Sequence, residues 1–171
     1  MLSSLTLPVS LPIRQGEITL RRATIDDLDE LMRLLSDDAV SASRGDRNDD
    51  SDRALYAQAL REIIEDPSND IVVGTESDGR VVATLQLTLI PGLARRGATR
   101  LLVEAVRVAA DERSRGIGEA MMRWVMDIAT RHTGADLVQL TSDSTRLDAH
   151  RFYMRLGFVD SHVGFKYRVG A

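Results

Sequence analysis

Glu104 to Ala129 reads EAVRVAADERSRGIGEAMMRWVMDIA, and the fold follows from this stretch. Val103, Val106 and Val108 mark a β-strand, a charged turn follows, and a long amphipathic helix closes the segment. At the junction stands Arg113-Ser114-Arg115-Gly116-Ile117-Gly118. Two glycines let the backbone approach whatever the turn holds. The first turn of the following helix adds spare N–H donors and the positive end of the helix dipole. Strand, glycine-bearing turn and helix N-terminus together suit phosphate oxygens.

The remaining composition narrows the chemistry. A chain of 171 residues with 43% apolar and 28% charged residues is long enough for one domain with a substantial core. There is no cysteine, so neither a disulfide framework nor a thiolate nucleophile is available. His132, His150 and His162 lack zinc-ligand spacing, and no metal is expected. The net charge of −4 speaks against nucleic acid or anionic membranes as partners. Residues 1–16 lack a basic n-region and are broken by Pro8 and Pro12. They read as a loosely ordered leader before a single domain over 17–171, and no apolar run approaches the ~20 residues of a membrane span. A cytoplasmic protein is expected.

In chain order, Glu17–Arg22 alternates as a strand, and Thr24 offers an N-cap to a helix over about residues 26–38. Residues 41–52 (SASRGDRNDDSD) form a polar loop, either a cover for a substrate or a solvated connector. A second helix over about 52–65 carries Leu55, Ala59, Leu60, Ile63 and Ile64 as its apolar stripe. Residues 71–76 and 80–90 are strands joined through Ser77-Asp78-Gly79, a hairpin signal. The loop 93–99 carries Arg95 and Arg96, and the chain returns as a strand over 100–108. After the central helix, 137–141 is a short buried strand, 148–156 a helix, and 158–169 supplies the last strands. The expected fold class is α/β (α+β), with a mixed, mostly antiparallel central sheet flanked by helices.

This order of elements, with R-S-R-G-I-G at 113–118 and A-H-R-F-Y-M-R-L-G-F at 149–158, resembles the GNAT superfamily of acetyl-CoA-dependent acetyltransferases. The resemblance covers 17–167, and the family signature R-x-x-G-x-G falls on Arg113, Gly116 and Gly118. A dinucleotide-binding Rossmann site would need G-x-G-x-x-G opening a parallel βαβ unit, whereas antiparallel strands come first here and Met121 stands where a glycine belongs. The resemblance implies acetyl-CoA as the cofactor, its pantetheine along Val106, Arg107 and Val108. The pyrophosphate would lie on the amides of Arg113, Ser114, Arg115, Gly116, Ile117, Gly118 and Glu119. Arg115 reads equally as a phosphate ligand or as part of a solvated basic turn.

Acetyl transfer to an amine needs a deprotonated nucleophile, a polarised thioester carbonyl and a proton for the departing thiolate. Tyr153 matches the family tyrosine that protonates the sulfur; its other reading is a core tyrosine on an amphipathic helix. Glu104 is the candidate on the amine side. Strict alternation puts it on one face with Val106 and Val108, which implies a carboxylate facing the interior. Direct proton abstraction from an ammonium of pKa ~10.4 by a carboxylate near ~4.3 is uphill by about 8 kcal/mol. Either burial raises the carboxylate, or Glu104 holds the ammonium while water carries the proton away.

Within the superfamily, D-A-H-R-F-Y at 148–153 with S-H-x-x-F at 161–165 resembles aminoalkylphosphonate acetyltransferases. L-x-L-T-x-I-P-x-L and V-E-x-V-x-V resemble glucosamine-phosphate acetyltransferase-like members. Both imply a small amine bearing an anionic group, with Arg95, Arg96 and Arg100 to meet the anion. They also imply a homodimer. Where the family usually has asparagine, this chain has Arg146. The expected function is acetyl transfer from acetyl-CoA to a small primary amine by direct attack in a ternary complex. Acetylation of a protein or peptide, and a non-catalytic acyl-CoA-binding module, are the alternatives.

Overall fold

The computed structural model describes residues 1–37, 45 and 48–170. Six strands form one sheet in the order of the chain: β1 (Val9–Pro12), β2 (Glu17–Arg22), β3 (Asn69–Thr75), β4 (Val81–Ile90), β5 (Arg100–Val108) and β6 (Leu137–Leu140). The four pairings from β1 to β5 are antiparallel. Helix α1 (Leu28–Ser36) packs on β4 and β5, and α2 (Arg53–Glu65) packs on β3. Helix α3 (Ile117–Trp124) packs on β5 and β1, and continues through a wide π turn (Val125–Ala129) into Thr130–Thr133. The chain divides into two compact units, Met1–Gln139 and Leu140–Ala171.

Alternation along β4 decides what each face of the sheet meets. Thr84 and Gln86 turn to the α1 and α2 side, whereas Leu85 and Leu87 are fully buried on the other. Leu28, Leu31, Met32 and Leu34 from α1 and Leu60 from α2 build a core with Val73 and Val81. From α3, Ile117, Met121, Met122 and Trp124 are buried, so these methionines fill the interior. The start of α1 is fixed by Asp27, which accepts from the Thr24 amide and takes a two-point grip from Arg21 at 2.7 Å on each oxygen.

Four expectations change. The first sixteen residues are not a loose leader. Leu2 and Leu5 are buried, Arg22 donates to both their carbonyls, and Val9–Pro12 pairs with β2 as an outer strand. Prolines suit such a sheet edge. The stripe of α2 is Tyr56, Ala57, Leu60 and Ile63, while Leu55 and Ile64 face solvent. Residues 158–169 form no strand, and β6 is half-buried rather than buried. Half of the polar loop expected over 41–52, residues 41–44, 46 and 47, lies outside the described residues.

Candidate functional site

The turn after β5 is built from left-handed residues. A 3-10 turn (Ala110–Glu112) leads to Ser114 at φ 68° and Gly116 at φ 87°, and α3 begins at Ile117. The Ala120 amide donates to the Gly116 carbonyl at 2.9 Å. The amides of Ile117, Gly118 and Glu119 precede that bond and have no helix carbonyl to reach. Curled amides at the positive end of a helix make a concavity for an anion. Ile117 is buried, so it contributes only main chain there.

Glycine at 116 answers two demands at once. Its φ is one that L side chains adopt at a cost, and an added Cβ would stand 3.1 Å from Arg14 Cγ and 3.4 Å from Arg14 N. The Arg14 amide donates to the Arg115 carbonyl at 3.0 Å, tying the turn to the segment after β1. Glu119 faces Arg14 at 3.6 Å on the surface.

Of the two arginines in the turn, Arg115 is already engaged. Its guanidinium donates to Glu76 at 2.6 Å, to Glu112, and to the Gln15 carbonyl at 3.2 Å. Glu112 is buried and also accepts from Arg80. Hydrogen bonds from Arg80 and then Arg115 hold its carboxyl below the usual range against the opposing effect of burial. Arg115 therefore braces the turn. Arg113 is exposed, its Nε 3.4 Å from the Val108 carbonyl.

Midway along β5 the ladder slips. Gln86 pairs with Glu104 and Thr84 with Arg107, so Leu85 alone faces both Ala105 and Val106. Ala105 takes φ 49°, and the extra residue is a β-bulge. The bulge corrects the expected face of Glu104. Register puts Glu104 on the Gln86 side and Val108 on the opposite Ala83 side, because the inserted residue reverses the alternation. Glu104 is exposed, not interior. Arg107 joins the Thr84 side, and its Nη1 donates to the Val106 carbonyl at 2.9 Å.

Arg95, Arg96 and Arg100 lie at the other end of this strand. Arg95 and Arg96 are exposed in a left-handed turn, at φ 55° and 64°. Arg100 begins β5 and donates to Gln139 at 3.2 Å. At about 3.4 Å per residue it stands ~17 Å from the bulge and ~27 Å from Val108.

Between α1, α2 and the sheet opens a cavity of about 190 Å³. Ala105 forms part of its wall, so the bulge and the cavity adjoin. Thr84, Gln86 and Tyr56 are its polar members, and the rest of the lining is apolar.

Tyr153 belongs to the second unit, on α4 (Leu147–Arg155). It is half-buried, edge-on to Phe152 at 5.2 Å and to Phe158 at 5.8 Å between ring centres. Arg146 is the N-cap of α4, and His150 Nε2 lies 2.7 Å from the Asp143 carbonyl.

Sequence reasoning missed Ala105, Gln86, Thr84, Tyr56, Arg14 and the Glu76–Glu112–Arg80 cluster. One signal was present: within VVATLQLTLI, Thr84, Gln86 and Thr88 recur at every second position. That is a polar stripe along one face of an otherwise apolar strand.

Residues 28–158 match the acetyltransferase (GNAT) family model. A solved transcriptional regulator from Bacillus halodurans C-125 is 35% identical, with a TM-score of 0.83 over 89% of this chain and 99% of that one. Glucosamine-6-phosphate N-acetyltransferase from Arabidopsis thaliana shares the fold at 19% identity, with a TM-score of 0.69 over 88% of this chain and 97% of that one. Aminoalkylphosphonate N-acetyltransferase from Salmonella typhimurium is 36% identical over 63 residues, a stretch that is 37% of this chain and 40% of that protein. A six-stranded sheet flanked by helices and the 131 residues from 28 to 158 say the same thing: the chain belongs to the GNAT acetyltransferase family.

Proposed function

We propose that this protein transfers the acetyl group of acetyl-CoA to the nitrogen of a small primary amine, by direct attack in a ternary complex. One observation carries the reading. A single strand, β5, bears a bulge at Ala105 and ends in the left-handed turn that opens α3. The turn fits a diphosphate, because its amides converge without helix partners and Arg113 adds exposed positive charge. Ala105 and Val106 share one partner residue across the ladder, which leaves main-chain groups for amide or carbonyl contacts of an extended ligand. Acetyl-CoA supplies an activated thioester.

The amine attacks the carbonyl carbon, the C–S bond breaks, the sulfur gains a proton and the nitrogen loses one. Glu104 is exposed, so its role here is to hold the ammonium while water carries the proton off. Tyr153 is assigned to protonate the sulfur. The absence of cysteine supports direct attack over a cysteine acyl-enzyme.

The partner is a small molecule, in keeping with a net charge of −4 that disfavours nucleic acid. A second copy of the chain is the other proposed partner. Val163, Phe165, Tyr167 and Val169 are each at least 80% exposed, apolar side chains that a second copy could cover. The test of the reaction is release of CoA thiol from acetyl-CoA on addition of an amine panel, with the acetylated product identified by mass. Turnover with an amine supports the reading; tight acetyl-CoA binding with no amine accepted refutes it.

A further inference from the structure

The cavity beside the bulge has a chemistry that narrows the acceptor, on the reading that acetyl transfer occurs at Ala105. Its walls are Leu31 and Leu35 from α1, Leu60 and Ile63 from α2, Ile71 from β3 and Ala105 itself. No charged side chain lines it among the described residues. An anion placed there would lose its hydration and meet no cation in the lining, a cost of several kcal/mol. The arginines that an anionic substrate would call on, Arg95, Arg96 and Arg100, begin ~17 Å along the strand from the bulge.

The polar groups on the wall point to the same answer. The Thr84 hydroxyl spends its hydrogen on the Val72 carbonyl at 3.3 Å. Gln86 spends an amide hydrogen on Asn69 at 3.4 Å, leaving its carbonyl oxygen as an acceptor. Thr84 is left with lone pairs and Gln86 with one amide hydrogen and its carbonyl oxygen; with the Tyr56 hydroxyl these are neutral groups, none of which supplies the positive charge a phosphonate needs. Glu104, directly across the ladder from Gln86 and on its face, offers a carboxylate to an ammonium, while Arg107, across from Thr84 on the same face, is outside the lining and donates to the Val106 carbonyl at 2.9 Å.

Size sets the body of the ligand. An engineered apolar cavity of about 150 Å³ in another protein binds benzene. At about 190 Å³ this one takes a single ring with a short side chain. We infer that the acceptor is an aralkyl or similarly bulky alkyl amine whose apolar body fills this cavity, and not an amine bearing a phosphonate or phosphate.

The experiment compares ethylamine, 2-phenylethylamine, 4-phenylbenzylamine, 2-aminoethylphosphonate and glucosamine 6-phosphate as acceptors. In parallel, calorimetry measures 2-phenylethylamine binding in the presence of CoA. Ala59 lines the cavity from an exposed position on α2, so Ala59→Phe narrows it without opening the core. The expected kcat/KM for 2-phenylethylamine exceeds that of ethylamine and of either anionic amine by about tenfold or more, and falls again for the biphenyl amine. Ala59→Phe is expected to weaken 2-phenylethylamine binding by about tenfold. Preference for an anionic amine overturns the inference while leaving acetyl transfer standing. Binding of 2-phenylethylamine that Ala59→Phe weakens, without turnover of any amine, supports the cavity assignment and refutes the reaction. No binding, or binding that Ala59→Phe leaves unchanged, overturns the assignment.

Discussion

Glu112 and Arg115, three residues apart, are locked side chain to side chain beneath the turn that opens α3. Arg80 grips the same carboxylate, and Arg115 reaches on to Glu76 at 2.6 Å. The turn thus rests on a five-residue ion network, Asp111 facing Arg80 at 3.6 Å as its outer member, drawn from the β3–β4 hairpin and its own flank.

The network predicts a pH dependence. Glu112 is held below its ordinary value of 4.5 by Arg80 and Arg115, so its contribution to stability is complete above 4.5. It is lost as pH falls through the lower folded value. Glu112→Gln should cost about 1.5–3 kcal/mol at neutral pH, the range for hydrogen bonds to a charged group. Urea unfolding of both proteins at neutral pH and below 4.5 is the check. The difference between them should shrink in acid, and a constant difference removes Glu112 from the titration.

Tyr153→Phe should lower kcat by about a hundredfold, the scale of one well-placed proton donor, with acetyl-CoA affinity kept. The edge-on contacts with Phe152 and Phe158 do not need the hydroxyl, so the melting temperature should move little. Single-turnover rates with calorimetry separate the two effects. An unchanged rate across the pH profile assigns Tyr153 to packing alone.

Because Glu104 is exposed on the Gln86 face, Glu104→Gln should raise the KM of the amine by about tenfold and leave kcat and its acid limb nearly in place, as loss of binding shared by ground and transition states does. Loss of the acid limb in kcat would instead make Glu104 the base.

The exposed apolar side chains of the C-terminal segment predict a dimer. Sedimentation should give twice the mass of 18.9 kDa for the chain, and Phe165→Asp with Tyr167→Asp should return it to a monomer. A wild-type monomer at working concentration removes the second copy from the account.

The central unit was legible because its signals agree. Residues 100–108 and the start of α3 follow from apolar period, glycine placement and charge, and these point to one arrangement. The bulge was not legible. One inserted residue leaves composition untouched, yet it reverses the face of everything after Ala105, and with it the setting of Glu104. Arg115 read equally well as ligand or surface, because its partners Glu76 and Gln15 are distant in sequence. The first sixteen residues looked loose because β1 spans only four residues, and the burial of Leu2 and Leu5 is tertiary.

Amide hydrogen exchange with and without saturating acetyl-CoA tests the central claim most directly. Protection should rise at Ser114 to Glu119 and around Ala105 and Val106, and Gly116→Val should abolish both the protection and the binding. A protein saturated with acetyl-CoA whose 114–119 amides exchange as freely as before would contradict the account.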